Sequence, residues 1–166
     1  DSKNIDETLS FPNDTPDGVL EISDNFLTVG AIGSSFDENL PATFTNYGKQ
    51  NVDVFAPGVE IYSTTPENEY AFKNGTSMAS PAVAGVAALI RSYYPKLTAS
   101  QVKRILMNSG SKIDLQVLKP GSKSRENEKG EMVSFSDLSV TGRIVNAYNA
   151  TNYDRNTPNR KGFESN

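Results

Sequence analysis

The chain has 166 residues, which is enough for a single domain with a hydrophobic core. Its 16 lysine and arginine residues against 20 aspartate and glutamate residues give a formal net charge of −4. That balance argues against a nucleic-acid-binding surface, which needs excess positive charge. The sequence contains no cysteine and no histidine. It therefore excludes disulfides, thiolate metal sites and a cysteine nucleophile, and it lacks the side chain most often used as a general base near neutral pH.

Short apolar runs in the first half of the chain predict strands. Residues Asp1 to Gly18 are polar and rich in turn signals, so they are predicted to form a loop. Phe26 to Ile32 is apolar and β-branched, which is typical of a buried strand. Val52 to Phe55 and Glu60 to Thr64 predict a second and a third strand, and Tyr70 to Phe72 a short fourth.

Two helices are predicted in the middle of the chain. A long one follows Gly75 and stops at Pro95; it contains the most apolar run of the sequence, which is too short to span a bilayer and indicates a buried helix. Thr98 and Gln101 have the spacing of a capping box, and Gly110 suits the end of the second helix.

The last third of the sequence is more polar. Gln116 to Met132 is charged and turn-rich, which predicts an exposed loop. Gly142 to Ala150 predicts a final short helix, and residues 151–166 form a polar, asparagine-rich segment expected to be a mobile tail.

The segment Asn74 to Gly85, NGTSMASPAVAG, contains the candidate catalytic residue of the sequence, Ser77. A Gly-Thr-Ser turn that opens into a helix places the Ser77 hydroxyl at the helix N-terminus. Unpaired backbone N–H groups there favour developing negative charge, as an oxyanion hole requires. Geometry alone leaves a second reading, in which Ser77 only caps the helix.

This segment resembles the nucleophile signature of subtilisin-like serine proteases, G-T-S-M-A-x-P, at every position from Gly75 to Pro81. One departure is Ala82, where the family often has a histidine that is not the catalytic base. Further segments resemble the family in the family's order: Leu27 to Ile32, Phe44 to Gly48, Val52 to Gly58, Leu97 to Leu106 and Gly142 to Ala147.

The resemblance implies an α/β fold, the C-terminal portion of a doubly wound, mostly parallel-sheet subtilisin-like domain. Residues 1–150 would form that portion and residues 151–166 the tail. A portion of such a domain is expected to expose a sheet edge and an apolar helix face. The N-terminal part of the same catalytic domain is therefore an expected partner, and self-association of the chain is a second expectation.

The resemblance also implies a serine endopeptidase in the intact protein, with Ser77 as nucleophile. The family's catalytic residues run Asp, His, Ser along the chain, so the Asp and His would precede this sequence. Ser77, Gly75, Asn74 and Thr76 are the expected oxyanion-hole and substrate-binding residues. Without the Asp and His, the chain alone is expected to be inactive.

Partners and cofactors follow from the same resemblance. A polypeptide substrate is expected, with no nucleic acid and no membrane span, and secretion or export is implied by the family alone. No cofactor is required, but calcium binding is left open. Asp37, Glu38 and Asn39 could supply oxygen ligands, although a solvated turn is the preferred reading because they lack a ligand-spaced loop.

Two alternatives compete with the endopeptidase. A pseudoprotease would keep the fold as a binding or scaffold domain after loss of the upstream Asp or His. An unrelated interaction domain would require several ordered matches to be coincidental. Asp53, in the V-D-V run, is assigned a structural role as a buried, hydrogen-bonded carboxylate.

Overall fold

The chain folds around a small central sheet with helices against one face. The computed structural model describes residues 2–8, 10 and 21–153. Eight strands and three α-helices follow one another along these residues: β1 (Val29–Ile32), β2 (Val54–Pro57), β3 (Ile61–Thr65), β4 (Glu69–Lys73), α1 (Thr76–Tyr93), α2 (Ala99–Ser109), β5 (Ser111–Lys112), β6 (Gln116–Leu118), β7 (Met132–Ser134), β8 (Arg143–Ile144) and α3 (Ala147–Thr151).

The central sheet is mostly parallel. Its four strands lie in the order β1-β2-β8-β5, with β1 and β8 both parallel to β2 and β5 antiparallel to β8. Two separate antiparallel hairpins, β3–β4 and β6–β7, project from it. The predicted fold class, a mixed α/β structure with a mostly parallel sheet, is confirmed.

The two faces of the sheet bury two different cores, because neighbouring residues of a strand point to opposite faces. The helix-side core gathers residues from β1, β2 and all three helices: Ala31, Ala42, Val54, Ala56, Ala79, Val83, Ile90, Val102, Ile105, Leu106 and Ala150. The hairpin-side core lies under the β6–β7 hairpin and consists of Ile32, Leu40, Tyr47, Val52, Phe55, Ile113, Val117, Phe135 and Leu138.

The start of α1 packs closely on the sheet because the residues between them are small. A Cβ placed on Gly58, just after β2, would lie 2.7 Å from the Cβ of Ala31 and 3.3 Å from the Cβ of Ala79. Both alanines are fully buried. Glycine at position 58 therefore sets how near the first turn of α1 comes to the ends of β1 and β2.

The predicted strands and helices of the central region are confirmed with small shifts of their ends. The second strand lies two residues further along the chain than predicted, at Val54–Pro57 instead of Val52 to Phe55. The capping box of α2 is present: the Thr98 hydroxyl accepts from the Gln101 N–H at 3.2 Å, and the Gln101 side chain accepts from the Thr98 N–H at 2.8 Å. The long helix ends at Tyr93, before Pro95.

Two predictions in the last third of the chain are wrong in part. The predicted loop from Gln116 to Met132 begins and ends in strands, and Val117 is fully buried in the hairpin-side core. The predicted helix from Gly142 to Ala150 begins only at Ala147, because the β-branched Ile144 pairs with Phe55 as part of β8. Short runs of two or three residues carry too little periodicity to predict either strand.

The prediction that α1 is a buried helix is also wrong. Only three of its residues, Ala79, Val83 and Ile90, are buried. A row of small and apolar residues on the helix faces solvent instead, and we refer to it as the open face of α1: Ala82, Ala84, Gly85, Ala88 and Leu89. Within the described part of the chain, nothing lies within 4 Å of a Cβ built on Gly85.

Some predictions fall on residues that the structure does not describe. Residues 1, 9 and 11–18 of the predicted N-terminal loop and residues 154–166 of the predicted tail lie outside the described residues. The first residues of that tail are packed: the Tyr94 hydroxyl donates to the Thr151 carbonyl oxygen at 2.9 Å, and Tyr153 contacts the helix-side core. No helix in the described part of the chain combines the length and the apolar composition needed to cross a membrane.

Candidate active site

Ser77 lies at the N-terminal end of the longest helix. It is the second residue of α1, and its side chain is exposed. The first N–H groups of an α-helix have no partner within the helix, and they carry the positive end of its dipole. The Ser77 hydroxyl is therefore presented to solvent at a position that favours negative charge.

The reading of Ser77 as a helix cap is not supported. The residue at the N-cap position is Gly75, which has no side chain to accept a hydrogen bond. Ser77 lies two residues inside that cap, and its hydroxyl makes no hydrogen bond to any residue that the structure describes. Thr98 provides the contrast, since its hydroxyl does cap α2.

Backbone bonds fix the turn that precedes Ser77. Gly75 adopts φ 158° and ψ 157°, a conformation that is essentially limited to glycine. Its N–H donates to the carbonyl oxygen of Gly58 at 2.8 Å, which ties the turn to the end of β2. The side-chain oxygen of Asn74 accepts from the N–H of Glu60 at 2.6 Å. Asn74, Gly75 and Thr76 thus form one fixed turn before Ser77, and their oxyanion-hole and substrate-binding roles stay a prediction.

A cavity of about 940 Å³ lies beside Ser77. Residues from α1, β1 and α2 line it, together with the buried Asp53, and they include Thr76, Ser77, Ser80, Pro81, Thr28, Val29, Lys103 and Arg104. Ala84 and Gly85 of the open face follow Ser80 and Pro81 one helical turn further along α1. The cavity is large enough to hold several side chains of another polypeptide next to the Ser77 hydroxyl.

A charge cluster also lines this cavity, in which Lys103 and Asp53 are buried and Glu21 is half-exposed. Lys103 of α2 is paired with Glu21 and has its Nζ 3.7 Å from Oδ1 of Asp53. The other carboxylate oxygen of Asp53 accepts from the Thr28 N–H at 2.7 Å. Asp53 is therefore the buried, hydrogen-bonded carboxylate that the sequence predicted.

The sequence analysis missed Lys103. The signal that could have found it is its position between Val102 and Ile105, on the side of α2 that carries the apolar stripe. A lysine in that position needs a buried partner of opposite charge, and Asp53, in an otherwise apolar strand, was the available carboxylate.

The acidic turn at Asp37 to Asn39 has the geometry of a solvated turn. The Asp37 carboxylate accepts from the Asn39 N–H at 2.8 Å, and Asp37, Glu38 and Asn39 are all exposed. Within the described ranges, no group of three or more acidic or histidine side chains is placed to share a metal ion. Calcium binding stays a prediction from the resemblance, with no residue of this turn assigned to it.

The Subtilase family model matches residues 1–159. The chain belongs to the subtilase family.

Three curated relatives illustrate the match. Subtilisin DY from Bacillus licheniformis is 48% identical over 90 residues, which cover 54% of this chain and 31% of that protein. Alkaline elastase YaB from Bacillus sp. (strain YaB) is 45% identical over 83 residues, which cover 50% of this chain and 22% of that protein. Subtilisin Savinase from Lederbergia lenta is 36% identical over 96 residues, which cover 58% and 35% of the two chains.

Solved structures show the same fold. Proteases from Pseudoalteromonas arctica match with a TM-score of 0.57 and 25% identity, over 85% of this chain and 40% of theirs. The A-subunit of the AB5 toxin from E. coli matches with a TM-score of 0.55 and 25% identity, over 76% of this chain and 37% of its own. This subtilase chain thus spans less than half the length of the relatives and structures that it matches.

Proposed function

We propose that Ser77 is the nucleophile of a subtilisin-like serine endopeptidase, whose catalytic Asp and His come from polypeptide outside this sequence. The observation that carries the proposal is the exposed Ser77 hydroxyl in the first turn of α1, beside an open cavity, in a chain of the subtilase family. The sequence itself contains no histidine. We use "complete protease" below for this chain joined to the polypeptide that supplies the Asp and His.

The geometry suits acyl transfer. The Ser77 oxygen would attack a peptide carbonyl while its proton passes to the histidine of the added polypeptide, which the aspartate orients. The oxyanion would be stabilised by the Ser77 N–H, and Gly75 and Thr76 leave the substrate backbone room to approach. Asn74 holds this turn through its bond to Glu60. The protonated histidine would release the amine, and water would hydrolyse the acyl-enzyme.

The open face of α1 is where the added polypeptide would pack. Its small and apolar residues face solvent, and Ala84 and Gly85 lie one helical turn beyond Ser80 and Pro81, which line the cavity beside Ser77. A second polypeptide that covered this face and extended into the cavity would reach the hydroxyl. The edge of β1 has fewer unpaired backbone groups than the predicted exposed sheet edge would have. The N–H of Ala31 donates to the Thr45 hydroxyl at 2.9 Å, and its carbonyl oxygen accepts from Ala42 at 3.0 Å, so the edge is partly closed.

Labelling with a fluorophosphonate, which reacts with activated serines, tests the proposal by intact-mass analysis. We expect one adduct on the complete protease and none on this chain alone, because a serine without its base is a weak nucleophile. Ser77→Ala should abolish the adduct and lower kcat by on the order of 10⁶-fold. Ser92→Ala is the matched control on the same helix, where the hydroxyl only donates to the Leu89 carbonyl oxygen at 2.7 Å.

A folded complete protease that gives no adduct would overturn the proposal and favour a pseudoprotease. Turnover by this chain alone that survives Ser77→Ala would come from a contaminant. The family resemblance also predicts a secreted or exported protein and a polypeptide substrate, and both belong to the proposal.

A further inference from the structure

Three exposed aromatic side chains form a patch on the β3–β4 hairpin. Tyr62, Tyr70 and Phe72 are 61%, 61% and 68% exposed. The Tyr62 ring stacks on Tyr70 with a centroid distance of 5.6 Å and is tilted against Phe72 at 5.0 Å. We call these three residues the hairpin patch.

The strand register places these rings on one face of the hairpin. Tyr62 pairs with Phe72, and Thr64 pairs with Tyr70, so all four side chains point the same way. On the opposite face, Ile61 and Ala71 are half-buried. The aromatic face is therefore turned away from the body of the chain. Contiguous exposed aromatic surface of this kind usually marks a binding site.

The hairpin patch is continuous with the candidate active site. Strand β4 runs directly into the turn before Ser77, and Phe72 precedes Ser77 by five residues, a separation of at most about 17 Å even in an extended chain. The base of the hairpin is fixed to that turn by the Gly75–Gly58 and Asn74–Glu60 hydrogen bonds. A polypeptide with its scissile carbonyl at Ser77 could therefore reach the patch within about five extended residues.

We propose that the hairpin patch is an accessory substrate-binding surface, which takes a bulky apolar side chain of the polypeptide substrate within about five residues of the scissile bond. The inference rests on the proposed endopeptidase function. The substrate is the occupant that continuity with Ser77 favours, because it is the polypeptide that must lie across the adjoining turn. The rings are already packed against one another, so binding a further apolar side chain requires little reordering.

The test is a peptide series cleaved by the complete protease. Peptides of about ten residues carry one phenylalanine, moved stepwise to either side of a fixed cleavage site, and a matched peptide has glycine at that position. The measured quantity is the ratio of kcat/KM for the phenylalanine and glycine peptides. At one or two positions we expect a ratio of about ten, the size of one good aromatic contact.

Tyr62→Ser and Phe72→Ser, singly and together, should bring this ratio to about one. Both side chains are exposed, so the substitutions leave the cores intact. Tyr148→Ser is the matched control, because it removes a 76% exposed ring from α3, and it should keep the ratio. Fluorophosphonate labelling of each variant establishes that the Ser77 site is assembled.

The outcomes separate the two proposals. If Ser77 is labelled but the ratio is flat at every position, or survives in the double variant, the hairpin patch does not bind substrate. If the patch instead joins two copies of the chain, sedimentation will change in the double variant while the ratio does not. If no serine is labelled in the folded complete protease, the proposed function itself fails.

Discussion

At the scale of single residues, the Lys103–Asp53 ion pair joins α2 to the central sheet in a buried position. The Lys103 and Asp53 side chains are 8% and 12% exposed, and they face each other across the junction of the helix and the residues leading into β2. Glu21, which is half-exposed, provides a second carboxylate that pairs with Lys103. Removing one partner would leave a buried charge with only part of its compensation, which destabilises the folded chain.

We therefore expect Asp53→Asn to destabilise the chain by about 3 kcal/mol, at the low end for a broken buried pair because Glu21 still faces the lysine. Lys103→Met should cost less, since the Asp53 carboxylate keeps the Thr28 N–H. Denaturant unfolding of both single variants and the double variant gives the coupling energy. A double variant that costs the sum of the two singles would show that the pair is not coupled.

At the scale of elements, the first turn of α1 and its open face differ in how closely they are packed, and two glycines show the difference. Gly58 lies in the closely packed contact between β2 and the first turn of α1, whereas Gly85 lies on the open face. The two positions therefore predict opposite effects of the same added methyl group.

Gly58→Ala should destabilise the chain by about 1–3 kcal/mol, because the new Cβ would approach the Ala31 Cβ and the Gly75 carbonyl oxygen to 2.7 Å. Gly85→Ala should stabilise the chain alone by about 1 kcal/mol, since alanine is the better helix former and the site is open. Thermal unfolding of the two variants measures both. Equal effects of the two substitutions would contradict the packing described for α1.

The sequence predicts elements well where a pattern is long or chemically specific. The helix after Gly75 and the capping box at Thr98 and Gln101 are examples. It fails for β5 and β8, two residues each, whose existence depends on the partner strand rather than on their own composition. The sequence also does not predict how much of α1 is buried. The small residues of α1 are typical of a buried helix, but the composition does not reveal whether another part of the protein covers them.

In the candidate site, too, some residues could be predicted from the sequence and others could not. Asn74 to Ser77 could be found because the motif is local. The Lys103–Asp53 pair and the aromatic hairpin patch could not, because each brings together side chains from separate strands or from a helix and a strand. The order of Tyr62, Tyr70 and Phe72 along the chain does not reveal that they share one face until the hairpin register is known.

At the scale of the whole molecule, two of the apolar surfaces in the described part of the chain lie near Ser77, the open face of α1 and the hairpin patch, whereas other exposed apolar side chains, such as Phe36 and Tyr148, lie elsewhere. The open face continues along α1 from Ser80 and Pro81, which line the cavity beside Ser77, and it is the proposed contact with the polypeptide that carries the Asp and His. In this chain alone that contact is not made, so we expect the open face of α1 to favour self-association.

We expect sedimentation velocity to show concentration-dependent association of the chain alone. Leu89→Lys, at a position 40% exposed on the open face, should shift it towards monomer, whereas Tyr148→Lys on α3 should not. A monomer at all concentrations would count against an apolar docking face.

The complete protease offers a second test of this face. There Gly85→Ala should lower the thermal midpoint, in contrast to its effect on the chain alone, because the added methyl group would meet the covering polypeptide. A stabilising effect in both proteins would place Gly85 outside the contact.

The hydrogen bond between the Gly75 N–H and the Gly58 carbonyl oxygen has a consequence for how the protein can vary. It closes residues 59–74 into a loop whose two ends meet through backbone atoms. The Ser77 turn is therefore tied to the sheet by backbone atoms, and the Asn74 side chain adds a second bond, to the Glu60 N–H. A segment of different length or sequence could connect these two glycines without moving Ser77 relative to the sheet. The fold thus separates the turn that holds Ser77 from a neighbouring hairpin that can vary in length and sequence.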